Sequence, residues 1–207
     1  MTRWILASAS PRRRELLHQM GLDFEVIPSG KAEFSERKEP EELVMDLAGS
    51  KACDVFEREV LPTFPTRGED IACVIGADTI VVCDGTVLGK PADRADAARM
   101  IRLLQGREHE VFTGVAIVWA DKNRKEEDDP PACMSAFAVE TSVFVNPMDE
   151  DEISQYLATG EADDKAGAYG IQGSFGVYID GIAGDYYNVV GLPISSLYRA
   201  LRENHLL

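Results

Sequence analysis

The chain has 207 residues, enough to bury a sizeable core as one domain or two small lobes, and 45% of them are hydrophobic, as in a globular protein. Its 36 acidic and 21 basic residues leave a net charge of −15, a surface that repels nucleic-acid backbones and anionic membranes and argues against nucleic-acid- and membrane-binding classes. The N-terminus lacks the apolar stretch of a secretory signal, no apolar run could span a bilayer, and Cys53, Cys73, Cys83 and Cys133 show neither C-x-x-C pairing nor a His at zinc spacing, so the expectation is a cytoplasmic protein whose cysteines are reduced, buried fillers.

In chain order, "RWILAS" reads as a short buried strand and Pro11–Met20 as a helix, with Ser10 as N-cap, Pro11 at the first position and Gly21 as its stop. "FEVIP" is a second strand. A helix is expected from Pro40 to about Val60, with Leu43, Val44, Leu47 and Val55 on its apolar stripe, and Lys51 falls on that stripe too. "IACVIGADTIVVCDGTVLGKP" reads as a hairpin closed by Asp84-Gly85, a favoured pair for a two-residue turn. Asp93 caps the next helix, which buries Ala97, Met100, Ile101 and Leu104 and stops at Gly106. "EVFTGVAIVWA" and "SAFAVETSVFV" are strands, and the charged "DKNRKEEDDPPACM" between them is expected to be a surface loop without chemistry. A helix around Asp149–Ala158, a glycine-rich segment from Gly160 and a last helix from near Pro193, burying Ile194, Leu197 and Leu201, complete the chain. There is no internal repeat of solenoid length. The mixture of βα units and hairpins predicts a mixed, twisted sheet flanked by helices.

The first helix breaks a rule of helix openings. Arg12, Arg13 and Arg14 fill its first turn, where the dipole favours acidic residues by roughly 0.3–1 kcal/mol each and disfavours cations. Arg13 shares the stripe of Leu16, Leu17 and Met20, so it points inward. An inward guanidinium at a helix N-terminus makes sense beside a phosphate, held also by free backbone N–H groups and the hydroxyls of Ser8 and Ser10. The alternative is a solvated basic turn paired with nearby carboxylates.

Asp78, in "VIGADTIVV", is a carboxylate inside an apolar strand. In a regular strand it shares a face with Ile80 and Val82 while Thr79 looks the other way, unless Gly76 marks a bulge. A buried carboxylate needs a cation or a cleft, so Asp78 is a metal ligand, a general base beside a phosphate, or a structural residue capping a loop. Lys51 and Lys90 could each snorkel to water, or together with Arg12 and Arg13 embrace a polyphosphate. Lys165 adds a cation in a loop whose glycines permit close backbone approach. Neither G-x-x-x-x-G-K-[ST] nor a G-x-G-x-x-G after a strand is present, which argues against P-loop and Rossmann nucleotide binding.

The segments "LASASPRRRELL", "LAGSKA", "GADTIVVCDGTVLGKP", "DKAGAYGIQG" and "YYNVVGLPIS", in this order and spread over nearly the whole length, resemble the Maf family of nucleotide pyrophosphatases. The resemblance implies one α/β domain over residues 1–207, of the Maf and ITPase-like type, with an elongated mixed sheet, two lobes and a central cleft. It further implies cleavage of a nucleoside triphosphate to the monophosphate and pyrophosphate, dependence on Mg²⁺ or Mn²⁺, and a homodimer. Carried over by motif, Asp78 corresponds to the proton acceptor, and Ser8, Arg13, Lys51 and Lys90 to the phosphate surroundings. Arg12, Thr79 and Gln172 match positions associated with base choice, in the combination of the branch acting on dTTP and UTP.

Where many relatives have Val-Asp-Glu after the second strand, this chain has Lys31, Ala32 and Glu33. Glu33 is thus a second candidate metal ligand beside Asp78, without the neighbouring carboxylate, and a non-hydrolysing nucleotide-binding regulator is the alternative function. The segments "LPTFPTRGED" and "DKNRKEEDDPPAC" look like surface insertions. The implied reaction is in-line attack of water on the α-phosphorus, with charge stabilised by the surrounding cations. Uracil and thymine present an acceptor, a donor and an acceptor, and the Gln172 amide can meet O4 and N3–H together, so UTP and dTTP are expected to be preferred over CTP, dCTP and purines.

Overall fold

The structure is a computed structural model that describes residues 1–64, 68–123 and 132–207. Strand β1 (Thr2–Leu6), helix α1 (Pro11–Gln19) and strand β2 (Phe24–Val26) form a βα unit whose two strands pair in parallel. Helix α2 (Pro40–Val55) follows a loop and runs on into a wider turn over Phe56–Val60, in which the Leu61 amide reaches back to the Phe56 carbonyl at 3.0 Å. The expected single helix to Val60 is therefore wound more loosely in its last turn.

Strands β3 (Ile71–Cys83) and β4 (Thr86–Leu88) are the expected hairpin, turning on Asp84 and Gly85 at φ of 49° and 72°. Both positive values are what the two-residue turn demands. Helix α3 (Arg94–Leu104) is capped by Asp93, whose side chain accepts from the Asp96 amide, and it buries the four apolar residues expected of it. Strands β5 (Glu108–Asp121) and β6 (Cys133–Val145) are longer than the apolar runs that announce them. Cys133 and Met134 belong to β6 and not to a loop, because Trp119 pairs with Cys133 and Val118 with Met134 in the same unbroken ladder. The remainder of that charged linker, residues 124–131, and residues 65–67 of the other expected insertion lie outside the described residues.

Helix α4 (Glu150–Ala158) opens on a reciprocal capping box between Asp149 and Glu152. The glycine-rich segment conceals strand β7 (Ile179–Ala183) and the short helix α5 (Tyr186–Val190) before the last helix, α6 (Ile194–Glu203). Leu197 and Leu201 are buried on α6 as expected, while Ile194 is only partly covered.

The strands make a seven-stranded mixed sheet in the order β2-β1-β3-β5-β6-β7, with β4 paired to β3. Its β1 pairings are parallel and the others antiparallel. Even-numbered residues of β3 face α2, where Ala72 and Val74 join Ala48, Ala52 and Val55. On the opposite face, Cys73, Ile75 and Ala77 pack with α1 and α6, whereas Val81 and Cys83, farther along, pack with α3 and α4. The sheet therefore carries separate apolar clusters along its length, and polar side chains gather between them around Asp78 and Thr79.

The pairing of β3 with β5 runs from Ile71 opposite Asp121 to Val82 opposite Glu110 without a slip, so Gly76 marks no bulge. It serves packing instead. A Cβ on Gly76 would come within 2.9 Å of the Ala52 amide nitrogen, and one on Gly114 within 2.6 Å of that of Met45. Two glycines on adjacent strands thus let α2 lie close against the sheet. Cys73 and Cys83 are buried and Cys53 and Cys133 half-buried, so only the first two are core fillers. Cys53 packs at the margin of the apolar cluster between α2 and the sheet, and Cys133 stands at a strand start. Among the described residues no helix is long and apolar enough to cross a membrane.

Candidate active site

Strand β1 ends at Leu6 beside Ile75, while β3 continues for eight more residues to Cys83. The chain leaving β1 therefore turns into α1 next to the middle of β3, at the carboxyl end of a parallel pair, where open α/β sheets form their ligand crevices. A cavity of 590 Å³ lies here, lined among others by Ser8, Ser10, Arg12, Arg13, Asp78 and Thr79. That volume suits a nucleotide-sized ligand.

Ser10 caps α1 by accepting from the Arg13 amide at 3.4 Å, and Pro11 stands at the first helical position. The three arginines then part company. Arg14 is exposed. Arg12 reaches Asp164 at 3.4 Å from the cavity wall. Arg13 turns inward, as its stripe predicts, donating from Nε to the Gly191 carbonyl at 2.8 Å, from Nη2 to the Thr79 hydroxyl at 3.0 Å and from Nη1 to the Ser8 hydroxyl at 3.4 Å. These acceptors are all neutral. Burial pushes the Arg13 guanidinium below its ordinary pKa, and the nearby charge of Asp78 opposes that shift. Among the described residues no carboxylate pairs with Arg13 directly, which sets it apart from a solvated basic turn.

Asp78 faces α2 with Ile80 and Val82, as strand alternation requires, and Thr79 faces α1. Asp78 is 7% exposed. Its Oδ1 accepts from the Lys51 ammonium at 2.5 Å, and the same ammonium donates to Glu33 Oε1 at 2.7 Å. Lys51 can reach the sheet because the Gly76 and Gly114 contacts bring its helix down. The ammonium lowers the pKa of Glu33, chiefly through the hydrogen bond. Glu33, Lys31 and Ser29 come to the cavity from the loop between β2 and α2, so the Lys31-Ala32-Glu33 departure places a lysine on the wall.

Lys90 lines the cavity from the end of the β4 hairpin and is exposed. Lys165 also lines it, but its ammonium is engaged by the Glu161 carbonyl at 2.6 Å and Asp164 at 2.7 Å. Gly170 permits this, since a Cβ there would lie 2.7 Å from Lys165 Cε. Gln172 is an exposed lining residue in the same glycine-rich loop. Of the residues singled out in the opening turn, Arg14 stays outside, and the structure brings the candidate site residues, from Ser8 to Gln172, to one cavity. Sequence reasoning missed Thr113, the Gly191 carbonyl and Asn188. The signal for the first was a threonine in the apolar run "VFTGVAIV", and for the last a buried Asn in "YYNVVG".

Comparison with known proteins follows the same lines. The family model for "Maf-like protein" matches residues 3–204. The chain belongs to the Maf family. A dTTP/UTP pyrophosphatase of Thermoanaerobacter sp. is 48% identical over 199 residues, covering 96% of this Maf chain and 95% of its own length. Those of Thermococcus kodakarensis and Agathobacter rectalis are 45% and 42% identical, over 94% and 98% of this chain and 93% and 98% of theirs. Among solved structures, a nucleoside-triphosphatase/dITP/XTP pyrophosphatase from Mycobacterium abscessus aligns over 100% of this Maf chain and 96% of its own, at a TM-score of 0.35 and 10% identity, too low to bear on the fold.

Proposed function

We propose that the protein is a nucleoside triphosphate pyrophosphatase that hydrolyses dTTP and UTP to the monophosphate and pyrophosphate. The observation that carries this reading is the half-buried Arg13 guanidinium, held by neutral acceptors at the N-terminus of α1 and turned to a cavity that also holds the Asp78–Lys51 pair. A half-buried cation that pairs with no carboxylate among the described residues is prepared for an anion from outside, and helix amides beside it favour a phosphate. The substrate is supported by the names of the relatives, 42–48% identical over nearly their whole length.

In this reading Arg13, Ser8 and Lys90 hold the triphosphate, while Lys51 places Asp78. Water attacks the α-phosphorus in line, its proton passes to the Asp78 carboxylate, and the bond to the β-phosphate breaks to release pyrophosphate. Stabilising the charge that shifts onto the bridging oxygen is the main catalytic demand, and the lysines and arginines around the cavity meet it.

The donor set also suits a hard divalent cation. Asp78 and Glu33 converge on one cationic centre, the Lys51 ammonium, and two carboxylates plus phosphate oxygens are a common Mg²⁺ environment. Among the described residues no group of three or more acidic, His or Cys side chains is placed to hold a metal ion. Mg²⁺ or Mn²⁺ bound by Asp78, Glu33 and the phosphates would supply charge neutralisation. A homodimer, which rests on family resemblance, and a cytoplasmic location, which rests on cysteines without C-x-x-C pairing, belong to the same reading, and sizing by light scattering tests the first.

Release of pyrophosphate from a panel of dTTP, UTP, CTP, dCTP, GTP and ATP, with Mg²⁺ and with Mn²⁺, tests the reading. Hydrolysis of dTTP and UTP is expected. Binding of nucleotides without turnover under either metal would instead make the protein a nucleotide-binding regulator.

A further inference from the structure

Thr113 is fully buried on β5, directly across the ladder from Thr79. Its hydroxyl donates to the Asn188 carbonyl at 2.9 Å and lies 2.9 Å from the Thr79 hydroxyl, which accepts from Arg13 Nη2 at 3.0 Å. A carbonyl only accepts and a guanidinium only donates. One arrangement of the hydroxyl hydrogens satisfies all three contacts: Arg13 donates to Thr79, Thr79 to Thr113, and Thr113 to the Asn188 carbonyl.

The far end of this chain is fixed. Asn188 is buried on α5, and its side-chain amide donates to the Val111 carbonyl and to the Thr141 hydroxyl, each at 2.9 Å. Thr141 in turn accepts from the Asp185 amide at 3.0 Å. The carbonyl of Gly191, which holds Arg13 Nε, leaves the same short helix. Both principal contacts of the guanidinium therefore trace back to one anchored segment.

We propose that Thr113 is a positioning residue for Arg13. By accepting the Thr79 proton it turns a Thr79 lone pair towards the guanidinium and so aims the fork at the phosphates. Without the Thr113 hydroxyl, the Thr79 proton loses its acceptor and can turn against Arg13, donor facing donor. The proposal rests on the reading of the cavity as a triphosphate site.

Thr113→Val keeps the shape and removes the hydroxyl, while Thr113→Ser keeps the hydroxyl. The probe is inorganic triphosphate, titrated calorimetrically against the whole protein, with dTTP hydrolysis and thermal unfolding measured on the same preparations. Thr113→Val is expected to weaken triphosphate binding about tenfold and Thr113→Ser to restore it to within about twofold. In an Arg13→Ala background Thr113→Val should change binding no further, because its effect passes through Arg13. If Thr113→Val does not fold, Thr113→Ala is read in the same cycle. Wild-type affinity in the hydroxyl-free variant, or the same loss with and without Arg13, overturns the proposal. Wild-type protein that binds triphosphate but leaves dTTP intact would overturn the pyrophosphatase reading alone, since the Thr113 cycle is judged on binding.

Discussion

Gly114→Ala tests whether the close seating of α2 makes the site. Gly114 pairs with Asp78 across the β3–β5 ladder, and an added Cβ would lie 2.6 Å from the Met45 amide nitrogen and closer still to the Val44 carbonyl. These are backbone atoms in a helix, so no side chain can swing aside. Reaching ordinary contact of 3.4 Å requires α2 to retreat by about 1 Å. Overpacking of this kind costs about 1–3 kcal/mol. At about 2–4 °C per kcal/mol for a chain of this size, Tm should fall by about 2–12 °C. The same retreat lifts Lys51 away from Asp78, now 2.5 Å from it. The Lys51 stem can take up part of the shift, so kcat/KM for dTTP should drop by about tenfold to a hundredfold. Gly181→Ala is the control, for nothing lies within 4 Å of a Cβ there, and it should stay within about 0.5 kcal/mol. Scanning calorimetry and pyrophosphate release on the three proteins decide the matter. A Gly114→Ala protein with wild-type Tm and kcat/KM, or a Gly181→Ala protein equally impaired, would refute the reasoning.

Asp78→Asn keeps the shape and removes the proton-accepting charge beside Lys51; turnover at saturating metal should fall at least about a hundredfold with the fold intact by circular dichroism, and near wild-type release of pyrophosphate would remove Asp78 from the chemistry. Gln172→Glu replaces an amide that both donates and accepts with a carboxylate that cannot donate to O4, so the UTP/CTP ratio of kcat/KM should shrink by roughly tenfold. An unchanged ratio would take Gln172 out of base recognition. His109 is fully buried against the Tyr169 hydroxyl at 2.7 Å, and burial pushes its pKa down to about 4. Its neutral form stabilises the fold fully above about pH 6.5, its unfolded value, and that contribution of about 3 kcal/mol is lost as pH falls towards 4. Urea unfolding between pH 7.5 and 4.5 should show a steeper loss for wild type than for His109→Gln, and equal slopes would contradict the assignment.

The residues that sequence alone determined are those whose signals act within a few positions. Ser10 and Asp93 cap their helices because each side chain meets an amide three residues on. Asp84-Gly85 makes its turn from its own φ angles. Helical spacing turned Arg13 inward, and alternation set Asp78 and Thr79 on opposite faces. The family motifs brought Lys51, Lys90 and Gln172 into view together. Strand β7 was hidden because its hydrogen bonds go to β6, far back in the chain, and its own glycine-containing "IDGIA" has little β character. Only the tertiary structure decided the rest: that Gly76 and Gly114 serve a helix rather than a bulge, that Lys51 spans Asp78 and Glu33, and that Thr113 stands behind Thr79. Each of these depends on the register of β3 against β5 and on the distance of α2 from the sheet, which long-range packing sets and no local pattern of residues encodes.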